Sequence, residues 1–112
     1  MNPSPLELVV LLYDGALRFL AAAKDGFERR DIPARRQATS RLLAIISELQ
    51  STLDVERGGE VAASLDELYS YMTRRIVEAT STHSAAPLED VQRLLETLRE
   101  GWQGIAGGPV PA

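Results

Sequence analysis

Few residues in this 112-residue chain are of the types that do chemistry, and their spacing decides what they can do. A single histidine, His83, stands among serine, threonine and alanine, and reads as a solvated loop residue because no metal or triad partner is near it in sequence. Gly58-Gly59 has no following Lys-Ser or Lys-Thr and no preceding strand, so it is not a phosphate loop. Asp14, between Tyr13 and Gly15, lacks a second polar partner for acid–base work. It reads as a surface residue or a hydrogen-bond acceptor for a neighbouring helix. A carboxylate-bridged di-iron centre would need inward Glu-x-x-His motifs, which one histidine cannot supply. The expectation is no catalytic residue, no metal and no cofactor, hence not an enzyme. Tyr69, Tyr71 and Trp102 admit two readings: core filling with the polar atom at the rim, or anchors of an interface.

Composition narrows the class. Hydrophobic residues make up 45% and charged residues 25%, as in a globular domain, and the length suits one domain. A net charge of −4 with no Lys/Arg-rich tract argues against nucleic acid. The absence of cysteine excludes disulfides and thiolate sites and fits a cytoplasmic address. The longest apolar run, Leu8 to Tyr13, is too short to span a bilayer, and no basic segment precedes it as in a signal peptide.

Apolar periodicity predicts four helices, at about 5–30, 33–53, 60–81 and 87–105, followed by a frayed tail over 106–112. Ser4-Pro5-Leu6-Glu7 forms a capping box with proline at the first helical position, and Asp31 caps the second helix. Gly58-Gly59 closes the turn into the third, which turns Val61, Leu65, Leu68, Tyr69, Met72, Ile76 and Ala79 inward. Thr80 to Ala86 is the next loop, and Pro87 opens a fourth helix whose Leu88, Val91, Leu95, Leu98, Trp102 and Ile105 form a heptad-like seam. With no alternating strand pattern, the fold is an all-α, antiparallel up-down four-helix bundle in a single domain.

The first helix is wider in its apolar surface than such a bundle requires. Leu6, Val9, Val10, Tyr13, Ala16, Leu17, Leu20 and Phe27 form a core face. Leu8, Leu11, Leu12, Gly15, Phe19, Ala22 and Gly26 continue it, leaving only Glu7, Asp14, Arg18 and Asp25 as a polar wedge. An apolar stripe somewhat over ~100° suffices for an ordinary bundle helix. Full burial of Leu8, Leu11, Leu12 and Phe19 is worth roughly 6–12 kcal/mol before association costs, enough for a partner to exploit. The intrahelical Gly15 points to close approach of another backbone.

These same residues carry a family resemblance. Leu8-Val9-Val10-Leu11-Leu12-Tyr13-Asp14-Gly15-Ala16-Leu17 followed by Phe19-Leu20 resembles the opening helix of the FliS family, the flagellin-specific export chaperones of bacterial flagella. The likeness continues through Glu48-Leu49, Leu53-Asp54, Gly58-Gly59-Glu60, Leu68-Tyr69-x-Tyr71-Met72 and Leu98-Arg99-Glu100-Gly101-Trp102.

The resemblance implies a helical bundle that binds the C-terminal segment of flagellin, blocks premature filament assembly and delivers the subunit to the export apparatus. Leu8, Leu11, Leu12, Gly15 and Phe19 are expected to carry the contact, with Tyr13 and Asp14 beside them. Family members usually carry a further N-terminal segment lying over the apolar groove. Here only Met1, Asn2 and Pro3 precede Ser4, so the expectation is an uncapped monomer or weak homodimer. The alternative is a structural homodimer or adaptor that uses the extra face of the first helix as its subunit interface.

Overall fold

The computed structural model describes residues 2–106, and within them the chain forms α1 (Pro5–Glu28), α2 (Ile32–Ser51), α3 (Val55–Thr82) and α4 (Ala86–Ala106). The tail expected beyond Ala106 lies outside the described residues. Each start has a local cause. Ser4 Oγ accepts from the Glu7 amide at 3.2 Å while the Glu7 carboxylate accepts from the Ser4 amide at 3.4 Å, the capping box expected from the sequence. Asp31 accepts from the Ala34 amide at 3.1 Å and opens α2. Asp54 accepts from the Arg57 amide at 3.2 Å and opens α3.

Three boundaries differ from the sequence expectation. α1 stops at Glu28, because Arg30 turns left-handed (φ 56°) and Asp31 donates its amide back to the Gly26 carbonyl at 2.9 Å. α3 runs on through Thr80 and Ser81 to Thr82. It closes in the same way, with His83 left-handed (φ 55°) and the Ser84 amide on the Ala79 carbonyl at 3.1 Å. The glycine pair does not separate α2 from α3. Val55 to Gly58 is already one helical turn under the Asp54 cap, and Gly59 (φ 53°, ψ −132°) breaks α3 internally.

The four helices pack as a ring in which α1 and α3 each neighbour α2 and α4, the up-down arrangement expected. The core is built from Tyr13, Ala16, Leu20 and Ala23 of α1, and Leu42, Ile46 and Leu49 of α2. Leu65, Tyr69, Met72, Ile76 and Ala79 of α3 and Leu88, Val91 and Leu95 of α4 complete it. Ile105, the last member of the expected α4 seam, is exposed. Polar ties flank each seam. Lys24 joins α1 to Glu89 and Gln92 of α4, and Gln50 of α2 donates to Asp66 and Ser70 of α3. Tyr71 and Arg75 of α3 both reach Asp90 of α4.

Candidate functional site

At one end of the bundle gather the start of α1, the end of α2, the start of α3 and the end of α4. There the helices leave an apolar groove of about 900 Å³. Its α1 wall is Leu6, Leu8, Val9, Leu11 and Leu12, and opposite stand Leu49, Leu53, Val61 and Leu65, with Tyr69 and Trp102 also contributing. Leu8 and Leu11 keep 50% and 56% of their surface exposed, so the sequence expectation of an uncovered α1 flank holds at these two residues. Contiguous exposed apolar surface is uncommon on a lone protomer and marks a place where another chain or ligand can bury it.

On α3, Ala62 rather than Val61 enters the core, in step with Leu65, Tyr69, Met72 and Ile76, and Val61 is left 69% exposed on the groove's lip. That corrects the inward orientation expected for Val61. On the continuous helix that follows Gly59, Val61 stands about 100° from Ala62 and so falls at the edge of the stripe formed by Ala62, Leu65, Tyr69, Met72, Ile76 and Ala79.

The remaining residues singled out on α1 are distributed differently. Leu12 is half-buried and lines the groove. Tyr13 is fully buried, its hydroxyl 2.5 Å from that of Tyr69, so it supports the groove from beneath and offers no contact surface. Asp14 accepts a hydrogen bond from the Arg99 guanidinium of α4, the neighbouring-helix role its sequence context suggested. The carboxylate in turn holds the guanidinium's protonated form still more firmly, raising the Arg99 pKa.

Gly15 is covered by α2, where an added Cβ would stand 3.1 Å from Ile45 Cδ1. The close neighbour is therefore a side chain of the same protomer. Gly26, expected on the free flank, is likewise covered, by the backbone of Arg35. Phe19 lies outside the groove, half-buried, with the Arg41 guanidinium carbon 5.7 Å from its ring centroid.

Leu6 and Val9, placed on the core face by the helical wheel, turn out to be groove wall, as do Leu53 and Trp102. No signal along one helix could reveal this, because the groove is made by four chain segments far apart in sequence. The arrangement has a wide apolar wall and a rim carrying Glu48, Asp54 and Arg57. It can bury an amphipathic segment; among the described residues no cluster of His, Asp and Glu converges on a metal position. No helix among the described residues is long and apolar enough to cross a membrane.

Comparison with known proteins gives consistent matches. The family profile described as "Flagellar protein FliS" matches residues 1–109. The chain is 41% identical over 105 residues to flagellar secretion chaperone FliSB of Pseudomonas aeruginosa, covering 94% of this chain and 83% of the relative. It is 39% identical over 107 residues to flagellar secretion chaperone FliS of Salmonella typhimurium, covering 95% and 79%. Against flagellar secretion chaperone FliS of Bacillus subtilis it is 32% identical over 100 residues, covering 89% and 74%.

Proposed function

Because this chain belongs to the FliS family, a family of chaperones and not of enzymes, we propose that it is a flagellar secretion chaperone. In this reading it holds the C-terminal segment of flagellin in the cytoplasm until export. The observation that carries the proposal is the groove at the open end of the bundle, with Leu8, Leu11 and Val61 exposed around it. Flagellin's C-terminal segment would fold its apolar stripe onto this wall as it binds, hiding the surface by which subunits polymerise. The complex would then be presented to the export apparatus.

Leu8, Leu11 and Leu12 are the contact residues in this reading, and Tyr13 and Gly15 shape the wall from behind. Asp14 holds α4 in place through Arg99, and Phe19 extends the partner surface along α1 beyond the groove. Leu8 and Leu11 each have about half of a side chain left to bury, and full burial is worth ~1.5–3 kcal/mol. Covering the pair returns on the order of 2 kcal/mol, with further gain from Val61.

The test uses the exposed position. Leu11→Glu should leave the helical circular dichroism unchanged and weaken binding of a flagellin C-terminal peptide at least about tenfold, since a charge would be buried without a partner. An unaltered titration would remove the groove from the binding surface. Sedimentation of the unliganded protein tests the competing use: a tight dimer indifferent to the peptide would assign this face to a subunit interface.

A further inference from the structure

A second opening lies between α2 and α3 near the opposite end of the bundle. It is a cleft of about 350 Å³ lined by Arg35, Arg36, Thr39, Leu43, Val77 and Thr80, among others. Along α2, Arg35 is roughly 20 Å from Leu49 of the flagellin groove at 1.5 Å per residue. Two of its polar side chains are nine-tenths buried: Arg35 is 9% exposed and Thr39 8%. One helical turn apart on α2, both face the cleft.

Among the described residues neither side chain makes a polar contact within its own protomer. The Arg35 guanidinium carbon sits 4.7 Å from the Phe27 ring centroid, and among the described residues no carboxylate pairs with it. A cation over an aromatic face recovers only part of what a buried charge loses with its hydration. The Thr39 hydroxyl oxygen is buried without a hydrogen-bond partner. The Arg35 nitrogens are not sealed off in this way, so an acceptor entering the cleft can reach them.

Charge and shape say what the acceptor is. Residues 32–47 carry Arg35, Arg36 and Arg41 and no Asp or Glu, a basic stretch in a chain of net charge −4. The cleft is apolar apart from the arginines and hydroxyls: Leu43 is half-buried and Val77 is 51% exposed. A free phosphate could use the arginines but would leave the Leu43 and Val77 surface uncovered. A helix carrying a carboxylate beside leucine-type side chains satisfies both halves. Gly26 fixes the approach, because its missing side chain lets the Arg35 backbone pack directly against α1.

We propose that the α2–α3 cleft is a second docking site, taking an acidic amphipathic segment of a protein partner, with a Glu or Asp carboxylate on Arg35 beside Arg36 and an apolar side chain on Leu43 and Val77. The site is separate from the flagellin groove and could be occupied together with it.

The test is NMR on the full, isotopically labelled chain, following the Arg35 Nε–H and the Val77 and Leu43 methyls. The probe is an acetylated amphipathic peptide with leucines one turn apart flanked by glutamates, compared with its glutamine twin. The acidic peptide should shift all three resonances and bind at least about tenfold tighter than the twin, the worth of one charge-assisted hydrogen bond. Arg35→Gln should bring the two peptides level. Val77→Glu, at an exposed position that folding tolerates, should abolish binding of the acidic peptide.

Equal affinity for both peptides overturns the proposal, as does retained binding by Val77→Glu. So do shifts confined to the Leu8 and Leu11 methyls, which would report the groove alone. Inorganic phosphate reproducing the Arg35 shift as strongly as the acidic peptide also overturns it, reducing the site to a simple anion contact.

Discussion

Tyr13 and Tyr69 sit 0% and 1% exposed on α1 and α3, and their hydroxyls satisfy one another at 2.5 Å. Tyr13→Phe orphans the Tyr69 hydroxyl and should cost about 1–3 kcal/mol, and Tyr69→Phe, which leaves the Tyr13 hydroxyl the Trp102 side chain, should cost no more. The double replacement should cost less than the sum, because no unpaired hydroxyl remains. A denaturant double-mutant cycle checks this.

Burial raises both phenol pKa values above the ordinary tyrosine range. A group with a raised folded pKa contributes its stability in full below the unfolded pKa, near 10 for tyrosine, and loses it as pH climbs toward the folded one. Denaturant midpoints should therefore fall above about pH 10, and the double phenylalanine variant should fall less.

Asp90 shows the opposite sign. Its hydrogen bond from Tyr71, with Arg75 and Arg93 nearby, holds its carboxyl below the ordinary carboxylate range. The stability it contributes is present at neutral pH and lost only as acid protonates it. Tyr71→Phe should return the Asp90 titration upward, measured by carboxyl-carbon NMR.

At the scale of the element, the helix ends and breaks are set by backbone positions that side chains resist. Arg30 and His83 hold left-handed φ values of 56° and 55° where glycine is the usual occupant. His83→Gly should raise stability by up to about 1 kcal/mol, relieving the clash between Cβ and the carbonyl. Gly59, by contrast, takes a φ and ψ that only glycine enters without strain. Gly59→Ala should cost about 1–3 kcal/mol. Since α3 would relax toward a continuous helix, it should also alter peptide affinity at the groove, which calorimetry would detect. Gly26 is the tightest crossing: an added Cβ would lie 2.8 Å from Arg35 Cα, so Gly26→Ala must push α1 and α2 apart, at about 1–3 kcal/mol in a thermal melt.

Over the whole molecule, a ring of four helices buries one face of each at mid-height and leaves its two ends less well covered. The groove opens at one end, lined by all four helices, and the smaller α2–α3 cleft at the other. A client that binds only the folded bundle raises its stability by mass action, about 2.7 kcal/mol at a hundredfold excess over Kd. The melting temperature should therefore climb with flagellin-peptide concentration for the native chain and stay level for Leu11→Glu.

Local rules written into consecutive residues determined the four helices, the Ser4–Glu7 box, the Asp31 cap and the excess apolar surface of α1. Capping and periodicity act over a few residues and need no tertiary contact to be legible. The tertiary structure alone decided which part of that surface stays open. Gly15 and Gly26 vanish under α2, Phe19 stays half-buried beside Arg41, and Leu8 and Leu11 remain free. A helical wheel gives the direction of each side chain; whether a neighbour stands in that direction depends on how closely the other helices approach, and that is settled by packing between residues distant in the chain.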